Sequence, residues 1–368
     1  MSSEKFYQVA LSLIPGIGNV LTKQLISYCG SAKEVFKTNK SKLSKIPGIG
    51  EKIADSITDN EPFAMAEQEL KRCEEHGINI RFYTDPDYPS RLKQIADAPP
   101  LLYCKGNFNF NTQKVLAIVG TRKATEYGKE AIEQLMPGIA KHNPLIVSGL
   151  AYGIDIYAHR SAVKHKIPTI GVLASGLNVI YPAVHKDTAM YMLEHGGLVS
   201  ENRLDSKPDF HKFPERNRII AGVADATLVI EAANKGGALI TATLATSYKR
   251  KLFAVPGNIS NPYSQGCNEL IKSGKAEVLT QIEDLERIME WKADGKIEKK
   301  ETQIPKGLSN EEHSLVQVLI NNNNELVIDE LSWKSQVPVS KLASLLLQME
   351  FKGYIKSLPG KRFRLNKV

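Results

Sequence analysis

Residues 115–128, VLAIVGTRKATEYG, decide the fold of this chain of 368 residues. The five apolar residues at 115–119 predict a buried strand, and a helical pattern over 127–141 follows after a short turn. In open α/β sheets such turns lie beyond the carboxyl ends of the strands, where ligands bind. This turn departs from the GxGxxG pattern of dinucleotide sites, because an arginine stands where small residues are needed, and the arginine offers a fixed fork to a phosphate diester. The turn consists of Gly120, Thr121, Arg122 and Lys123.

The sequence on both sides repeats this alternation of an apolar strand and a helix. Such alternation predicts an α/β fold with a mostly parallel sheet that is covered on both faces. The predicted strands are 78–83, 101–106, 115–119, 145–148, 169–173, 198–201, 227–231, 252–255 and 277–279. The clearest helical patterns are 62–75, 127–141, 154–164 and 239–250.

Four further segments are expected at the same edge of the sheet, because each lies next to a predicted strand end. They are 147–155, 173–182, 213–221 and 231–241. Each alone is explained by turn chemistry, whereas five segments at the strand ends of one sheet are hard to explain as connectors. Together with the first turn, the candidate binding residues are Ser148, Gly149, Lys212, Phe213, Arg216, Asn217, Arg218, Lys235, Gly236 and Gly237.

The segment 213–218 indicates which ligand this edge accepts. It combines two arginines, an asparagine and a phenylalanine, and Lys212 precedes it. Cationic groups contact phosphates, and an aromatic ring is a platform on which unpaired bases stack. This mixture favours a single-stranded nucleic acid.

Charge and composition are consistent with that partner. Lys and Arg number 48 against 40 Asp and Glu, a net charge of +8, which favours a polyanion without proving one. The four cysteines are far apart in sequence, which predicts buried thiols of a reducing compartment. The start lacks the apolar core of a signal peptide, and the longest uncharged stretch, 167–184, contains glycines and prolines unsuited to a membrane span. We therefore expect a cytoplasmic protein with no membrane segment.

An internal repeat marks residues 1–75 as a helical domain. The sequence IPGIG occurs at 14–18 and again at 46–50, each time before a helical pattern, which is typical of a tandem helix-hairpin-helix. Its glycines permit a tight turn whose backbone N–H groups can hold a phosphate. A hairpin that only joins two helices is the alternative, so contact with DNA stays open.

The C-terminal part divides into a linker and a small domain. Residues 291–307 are polar and charged, which predicts a linker after the sheet domain of residues 76–290. Residues 308–368 show three helical patterns and a β-hairpin, which is typical of a winged helix. The tip at Lys361 and Arg362 could touch nucleic acid, and docking to a protein or a structural role explains the domain equally well.

Familiar catalytic motifs are missing from the sequence. It contains no GxxxxGK[ST] loop, no HExxH and no GxSxG. Asp155 and His159 are four residues apart on a predicted helix and could pair for acid–base chemistry, but capping and core hydrogen bonds are commoner uses. We predict no catalytic residue, no metal and no cofactor.

Six blocks, in order, resemble those of the bacterial DNA-processing protein A family (DprA/Smf). They are 120–128, 147–155, 171–182, 213–221, 236–241 and 254–257. The resemblance spans roughly residues 80–290, and the two end domains fit the longer family members. It implies an extended Rossmann-like fold and a non-enzymatic homodimer. It also implies that the protein binds single-stranded DNA and loads a RecA-type recombinase on incoming DNA in natural transformation.

The resemblance also implies roles for individual residues. The family's phosphate pocket corresponds to Gly120, Thr121 and Arg122. Its basic element corresponds to Arg216, Asn217 and Arg218. Ser148 and Gly149 are expected to line the floor of the pocket. Gly236 departs from the family pattern, which often has serine there, so one hydroxyl contact is in doubt.

Two other functions remain open at this point. Related Rossmann-like proteins hydrolyse nucleoside monophosphates with a PGGxGT loop and an acid. The corresponding loop here, 235–241, lacks the proline and the GT step. A module that senses a small nucleotide is the second alternative.

A predicted helix over 268–273 is the candidate dimer surface. Leu270 and Ile271 lie near the strand around Val278, late in the sheet, where an edge would leave apolar residues for a second copy to cover. The alternative is that both residues pack on their own sheet.

Overall fold

The computed structural model describes residues 3–58, 61–292, 308–320, 322, 325–335, 337–358 and 360–366. The chain forms two compact units, residues 1–293 and 294–368, and each is described by itself. Residues 293–307 of the predicted linker lie outside the described residues. Trp291 is buried beside His142, with 5.8 Å between the ring centroids, so this first residue of the predicted linker packs in the core of the first unit.

Six helices begin the first unit. They are α1 (Ser3–Ser12), α2 (Asn19–Cys29), α3 (Ala32–Lys37), α4 (Lys40–Leu43), α5 (Glu51–Thr58) and α6 (Glu61–Glu75). Gly16 and Gly48 have φ of +85° and +79°, which explains why both copies of the repeat need glycine at this position. The two hairpins are in contact: the Gln24 amide of α2, the helix after the first copy, donates a hydrogen bond to the carbonyl of Pro47 in the second copy (3.0 Å). The predicted tandem hairpin is confirmed.

Within the described part of the first unit, nine strands follow in one sheet. They are β1 (Asn79–Phe82), β2 (Leu101–Gly106), β3 (Val115–Val119), β4 (Leu145–Ser148), β5 (Thr169–Val172), β6 (Gly196–Ser200), β7 (Ala226–Val229), β8 (Lys251–Ala254) and β9 (Glu277–Val278). Their order is β1-β2-β6-β5-β4-β3-β7-β8-β9, antiparallel at β1–β2 and β2–β6 and parallel elsewhere. The chain order reverses at β3, the switch point at which open α/β sheets bind ligands. The predicted extended Rossmann-like sheet is confirmed.

Helices cover both faces of this sheet. They are α7 (Ser90–Lys93), α8 (Glu126–Ala140), α9 (Ile154–Lys164), α10 (Lys186–Met192), α11 (Lys212–Val223), α12 (Gly237–Ser247), α13 (Gln265–Lys272) and α14 (Ile282–Met289). Strand β3 shows the alternation of a strand between two layers. Ala117 and Val119 pack with residues of α11 and α12, whereas Leu116 and Ile118 pack with residues of α8 and α9.

The N-terminal helices share a hydrophobic core with part of the sheet. Leu11 and Leu25 belong to one buried cluster with Ile80 and Leu198. Lys23, beside the first hairpin, is half-buried near Asp97 and Arg218, and burial lowers the pKa of its ammonium group. The boundary between residues 75 and 76 stays a prediction from the sequence.

The second unit has the predicted winged-helix elements. They are α15 (Asn310–Ile320), β10 (Glu325–Val327), α16 (Ile328–Ser335), α17 (Val339–Phe351), β11 (Ile355–Leu358) and β12 (Arg362–Leu365). Ser309 caps α15, because its hydroxyl accepts a hydrogen bond from the N–H of Glu312 (3.2 Å). Strand β10 was not predicted, because three residues are too few to show a periodic pattern. Pro359, which belongs to the predicted β-hairpin, lies outside the described residues.

Length and polarity of the helices bear on membranes. Among the described residues, we find no helix with both the length and the apolar character that crossing a membrane demands.

Candidate nucleic-acid interface

A cavity of about 480 Å³ opens at the carboxyl edge of the sheet, beside β3. Its walls are the turn after β3, helix α11, and the loop that leads from β7 into α12. The predicted residues that line it are Gly120, Thr121, Arg122, Lys123, Phe213, Arg216, Asn217, Lys235, Gly236 and Gly237. The structure thus brings together most of the candidate binding residues. We call this space the main cavity.

The turn after β3 is held by Glu231, for which no role was predicted. Glu231 is fully buried, and its carboxylate accepts hydrogen bonds from the N–H (2.9 Å) and the hydroxyl (2.5 Å) of Thr125. The carbonyl of Glu231 accepts another from the N–H of Thr121 (2.7 Å). These three hydrogen bonds, all accepted by one buried residue, fix the turn in place.

Glycines let neighbouring segments approach this turn. A Cβ on Gly120 would lie 2.4 Å from a side-chain carbon of Ile154. Gly153 has a φ of +75°, and a Cβ there would lie 2.1 Å from the carbonyl oxygen of Thr121. The start of α9 therefore packs directly beneath the turn, which only glycine allows.

Three cations of the main cavity have no ion-pair partner among the described residues. They are Arg122, Lys123 and Lys235, and all three are exposed. The Arg122 guanidinium lies 4.9 Å from the centroid of the Phe213 ring. This contact holds the cation at the mouth of the cavity, where its hydrogen-bond donors remain open to a ligand.

Arg216 differs from these cations because it is buried, with 4% of its surface exposed. Its Nη1 donates to the carbonyls of Gly149 (2.5 Å) and Val172, and its Nε donates to Oδ1 of Asn217 (3.1 Å). Its Nη2 makes no hydrogen bond with a described residue. A Cβ on Gly149 would lie 2.6 Å from the guanidinium, so glycine at 149 leaves the space that Arg216 occupies.

Asp155 lies behind Arg216 and also lines the main cavity. Its carboxylate accepts a hydrogen bond from the N–H of Gly149 (3.2 Å). Burial raises the pKa of Asp155, and the charge of Arg216 opposes that shift. Burial likewise lowers the pKa of Arg216 to about 10, which leaves the guanidinium charged at neutral pH.

Asp155 and His159 have separate hydrogen-bond partners, which agrees with the structural uses that the sequence favoured over acid–base chemistry. His159 is fully buried, and its Nδ1 lies 2.8 Å from the hydroxyl of Thr169. Burial lowers the pKa of His159 to about 3, so the ring stays neutral. Asp155 stabilises the turn after β4 through Gly149, and His159 packs in the core beside Thr169.

The start of α12 forms the opposite wall of the main cavity. Asn217 donates from Nδ2 to the carbonyl of Gly237 (3.3 Å), which ties α11 to this helix end. A Cβ on Gly236 would meet no atom within 4 Å, so the fold itself does not require glycine there. The open space at this helix N-terminus leaves backbone N–H groups accessible to an anion.

Four candidate binding residues lie outside the main cavity, and three of these, Ser148, Lys212 and Arg218, line neither it nor the smaller cavity beside it. Ser148 is fully buried, and its hydroxyl donates to the carbonyl of Ile118 (2.6 Å), so it does not line the floor. Arg218 points to the other side of α11, where it pairs with Glu201 and donates to the carbonyl of Asp97 (2.5 Å). Lys212 donates instead to the carbonyl of Lys207 (3.3 Å).

A smaller cavity adjoins the main one and contains Gly149. Three aromatic rings line it, of which only Phe213 was predicted from the sequence as a stacking platform. The rings are those of Tyr152 and Tyr181, which are exposed, and of Phe213, which also lines the main cavity. Phe210 and Tyr263 add two further rings to the main cavity. Only long-range folding brings these residues together, which is why no local pattern identified the four besides Phe213.

Leu270 and Ile271 are partly buried on their own sheet domain. Both pack against the cluster that contains Leu252 and Ala254 of β8. Strand β9 is the last strand of the sheet in the described residues, and Val278 is 40% exposed. The apolar side chains of α13 therefore have contacts within the chain, as the alternative interpretation expected.

A switch-point cavity with free cations, an exposed helix N-terminus and aromatic rings defines a class: Rossmann-type proteins that bind nucleotides or nucleic acids. Comparison with known proteins narrows this class. The sequence profile of the family described as DNA recombination-mediator protein A matches residues 79–290. The chain belongs to this family. Profiles of the SAM-like helix-hairpin-helix tandem and of the DprA winged helix domain match residues 9–60 and 299–361.

Curated relatives extend the match over most of the chain. Protein Smf of Synechocystis is 35% identical over 290 residues, which cover 76% of this chain and 71% of the relative. DNA processing protein DprA of Bacillus subtilis is 40% identical over 217 residues, 59% of this chain and 73% of the relative. These relatives support a DNA-processing, recombination-mediator role.

Two solved structures share the fold. DNA processing protein A of Streptococcus pneumoniae is 30% identical to this chain, with a TM-score of 0.63. The aligned region covers 79% of this chain and 99% of that chain. The protein from Helicobacter pylori, whose structure is described as showing a single-stranded DNA binding mode, is also 30% identical. Its TM-score is 0.53, with 58% of this chain and 95% of that chain covered.

Proposed function

We propose that the main cavity binds single-stranded DNA, and that the protein thereby protects incoming DNA and loads a RecA-type recombinase in natural transformation and recombination. The observation that carries this proposal is the combination in one cavity of free cations with accessible aromatic rings. Arg122 on Phe213 is its centre. Phosphates need the first feature and unpaired bases need the second, so a single strand satisfies both.

The contacts follow from the geometry of the walls. Arg122, Lys123 and Lys235 are the candidate phosphate contacts, since their charges are exposed and unpaired among the described residues. The N-terminus of α12, which begins two residues after Lys235, is a further candidate contact for a phosphate. Phe213 is the candidate stacking platform. Such contacts read phosphates and base faces, so little sequence preference is expected.

The proposal includes that the protein is not an enzyme. Asp155 faces the main cavity, but its carboxylate is already bonded to the N–H of Gly149. Incubation with the four nucleoside monophosphates, followed by chromatography for free base, tests hydrolysis directly. Release of a base would favour the hydrolase alternative. Competition of a nucleotide with bound DNA would favour the nucleotide-sensing one.

The decisive experiment compares strand types. A labelled 20-nucleotide single strand and the matched duplex are titrated with the protein, and fluorescence anisotropy reports binding. We expect tighter binding of the single strand and weakening with salt, because phosphate contacts release counterions. Equal affinity for both would refute the single-strand proposal.

Recombinase loading needs a separate assay. A RecA-type recombinase hydrolyses ATP when it assembles on DNA, and a single-strand-binding protein that coats the DNA delays this start. We expect this protein to shorten the delay, and Arg122→Ala to shorten it less, since the variant binds the strand more weakly. An unchanged delay would remove recombinase loading and leave DNA binding.

A homodimer completes the proposal. A cavity of this size holds a few nucleotides, and two linked cavities would bind a long strand much more tightly. Light scattering should give twice the mass of one chain. Ile271→Glu tests the α13 surface: loss of the dimer would place it there, and a folded dimer would exclude it.

A further inference from the structure

The two cavities at the sheet edge share one wall. Arg122, Phe213 and Arg216 line both of them, whereas Lys235 lines only the main cavity and Tyr181 only the smaller one. The wall therefore carries two guanidinium groups and an aromatic ring between two compartments.

Arg216 is the buried part of this wall, and one of its nitrogens is available. Nη1 and Nε are engaged by Gly149, Val172 and Asn217, as described above, and Nη2 has no partner among the described residues. A guanidinium that is 4% exposed and still has an open donor on a cavity is suited to one anion. Arg122 is the second donor at the same wall.

The smaller cavity is aromatic on its other side. The rings of Tyr181 and Phe213 have centroids 6.0 Å apart with 47° between their planes. Tyr152 is held edge-on by His185, with 5.1 Å between the ring centroids. The two tyrosines are 47% and 50% exposed, so both can still stack with a ligand. Its described lining residues include no carboxylate to repel a phosphate.

We propose a second nucleotide subsite at the mouth of the smaller cavity, in which the next base of the strand stacks on the exposed face of Tyr181. The base stays outside the cavity, whose volume of about 20 Å³ is too small to hold it. The phosphate that joins the two nucleotides then lies at the shared wall, against Arg122 and the Nη2 of Arg216. The inference rests on the proposed binding of single-stranded DNA. It adds a direction to that site, because the strand passes from Lys235 over Phe213 to Tyr181.

The test uses Tyr181→Ala, Tyr181→Phe and Tyr191→Ala. Tyr191 is 63% exposed and lines neither cavity, so its substitution is the matched control. Each protein is titrated with a ten-nucleotide thymine strand. Tyr181→Ala should bind about tenfold more weakly, because it removes one base stack, while Tyr181→Phe and Tyr191→Ala should bind like the parent protein. Parent-like binding by Tyr181→Ala would overturn the proposal.

A second experiment locates the subsite along the strand. It uses a series of DNA strands, each with one abasic nucleotide, placed one position further along in each strand. These strands are anchored at one end by a duplex block that fixes the register. In the parent protein two neighbouring positions should be sensitive, and Tyr181→Ala should abolish the sensitivity of one of them. Equal weakening by Tyr181→Ala at every position would overturn the subsite.

Cross-linking of the parent protein keeps the test valid if Tyr181→Ala does not fold. Strands with a single iodouracil are irradiated in the complex, and mass spectrometry locates the adduct. We expect adducts on Phe213 and on Tyr181 from neighbouring positions. An adduct on Phe213 with none on Tyr181 would refute the subsite, whereas a parent protein that binds no single strand would refute the proposed function itself.

Discussion

The main cavity and the wing of the second unit both carry cations, and they differ in what those cations face. Arg362 and Arg364 of β12 both pair with Glu325, at 3.2 and 2.6 Å. Lys341 of α17 pairs with Glu311 at 2.5 Å, and Lys352, directly after this helix, pairs with Glu312 at 2.7 Å.

Arg122, Lys123 and Lys235 of the main cavity have no such partners among the described residues. Binding of a phosphate in the cavity therefore breaks no ion pair, whereas binding at Arg362 or Arg364 competes with Glu325. Lys361 at the tip is exposed and has no ion-pair partner among the described residues, so the contrast concerns the two arginines. The recognition-type helix α17 also exposes Leu347 and Phe351, 54% and 83% of their surfaces. The number of basic residues therefore does not locate a DNA site. What matters is whether carboxylates of the same chain already pair with them.

Arg216→Ala should produce the largest effect, because this residue acts in both the site and the fold. We expect an affinity for single strands at least tenfold lower, since the open Nη2 donor is lost. We also expect a free energy of unfolding lower by about 1–3 kcal/mol, since the carbonyls of Gly149 and Val172 lose their donor. Urea denaturation and anisotropy measure the two effects, with exposed Arg203→Ala as control. An unchanged unfolding curve would contradict the buried role.

Arg122→Ala should lower affinity by about tenfold or more, corresponding to roughly 1.5–3 kcal/mol for a charge-assisted contact. The slope of affinity against salt should decrease by about one phosphate contact. Stability should change little, because Arg122 is exposed and has no ion-pair partner among the described residues. Parent-like affinity in a folded protein would exclude the main cavity as the binding site.

Arg218→Ala sharpens the contrast within one helix. Its partner Glu201 would be left buried without its cation, so the free energy of unfolding should fall by about 1–3 kcal/mol. Affinity for single strands should change less than twofold. A tenfold loss of affinity at unchanged stability would restore Arg218 to the binding surface.

Substitution of the wing should have the smallest effect. The double variant Arg362→Ala, Arg364→Ala should bind single strands within twofold of the parent protein, and so should a chain that ends at Lys292. Anisotropy at low salt, where surface charges count most, is the strictest condition. A tenfold loss there would show that the paired wing cations contact DNA after all.

The sequence predicted those features that repeat along the chain. Strand β3 and helix α9 were recognised from hydrophobic periodicity, with ends accurate to a residue. Helix α11 was not assigned, because residues 216–223 are all buried and a helix buried all round has no amphipathic pattern.

The same helix explains the mixed outcome for its arginines. Residues two apart on a helix point about 200° away from each other, so Arg216 and Arg218 cannot reach the same cavity. The prediction that Ser148 lines the pocket was wrong for a related reason, since the last residue of a central strand is covered by the neighbouring strands. Glu231, Tyr152 and Tyr181 contribute through contacts distant in sequence, which a local motif cannot contain.

Glu231 has a mechanical consequence. Its carboxylate and carbonyl hold the turn after β3, and its own backbone continues into the loop that leads to α12. Two opposite walls of the main cavity are thus connected through Glu231, which lies two residues after β7. The sheet therefore sets the distance between these two walls before any DNA binds, and the width of the site is a property of the fold.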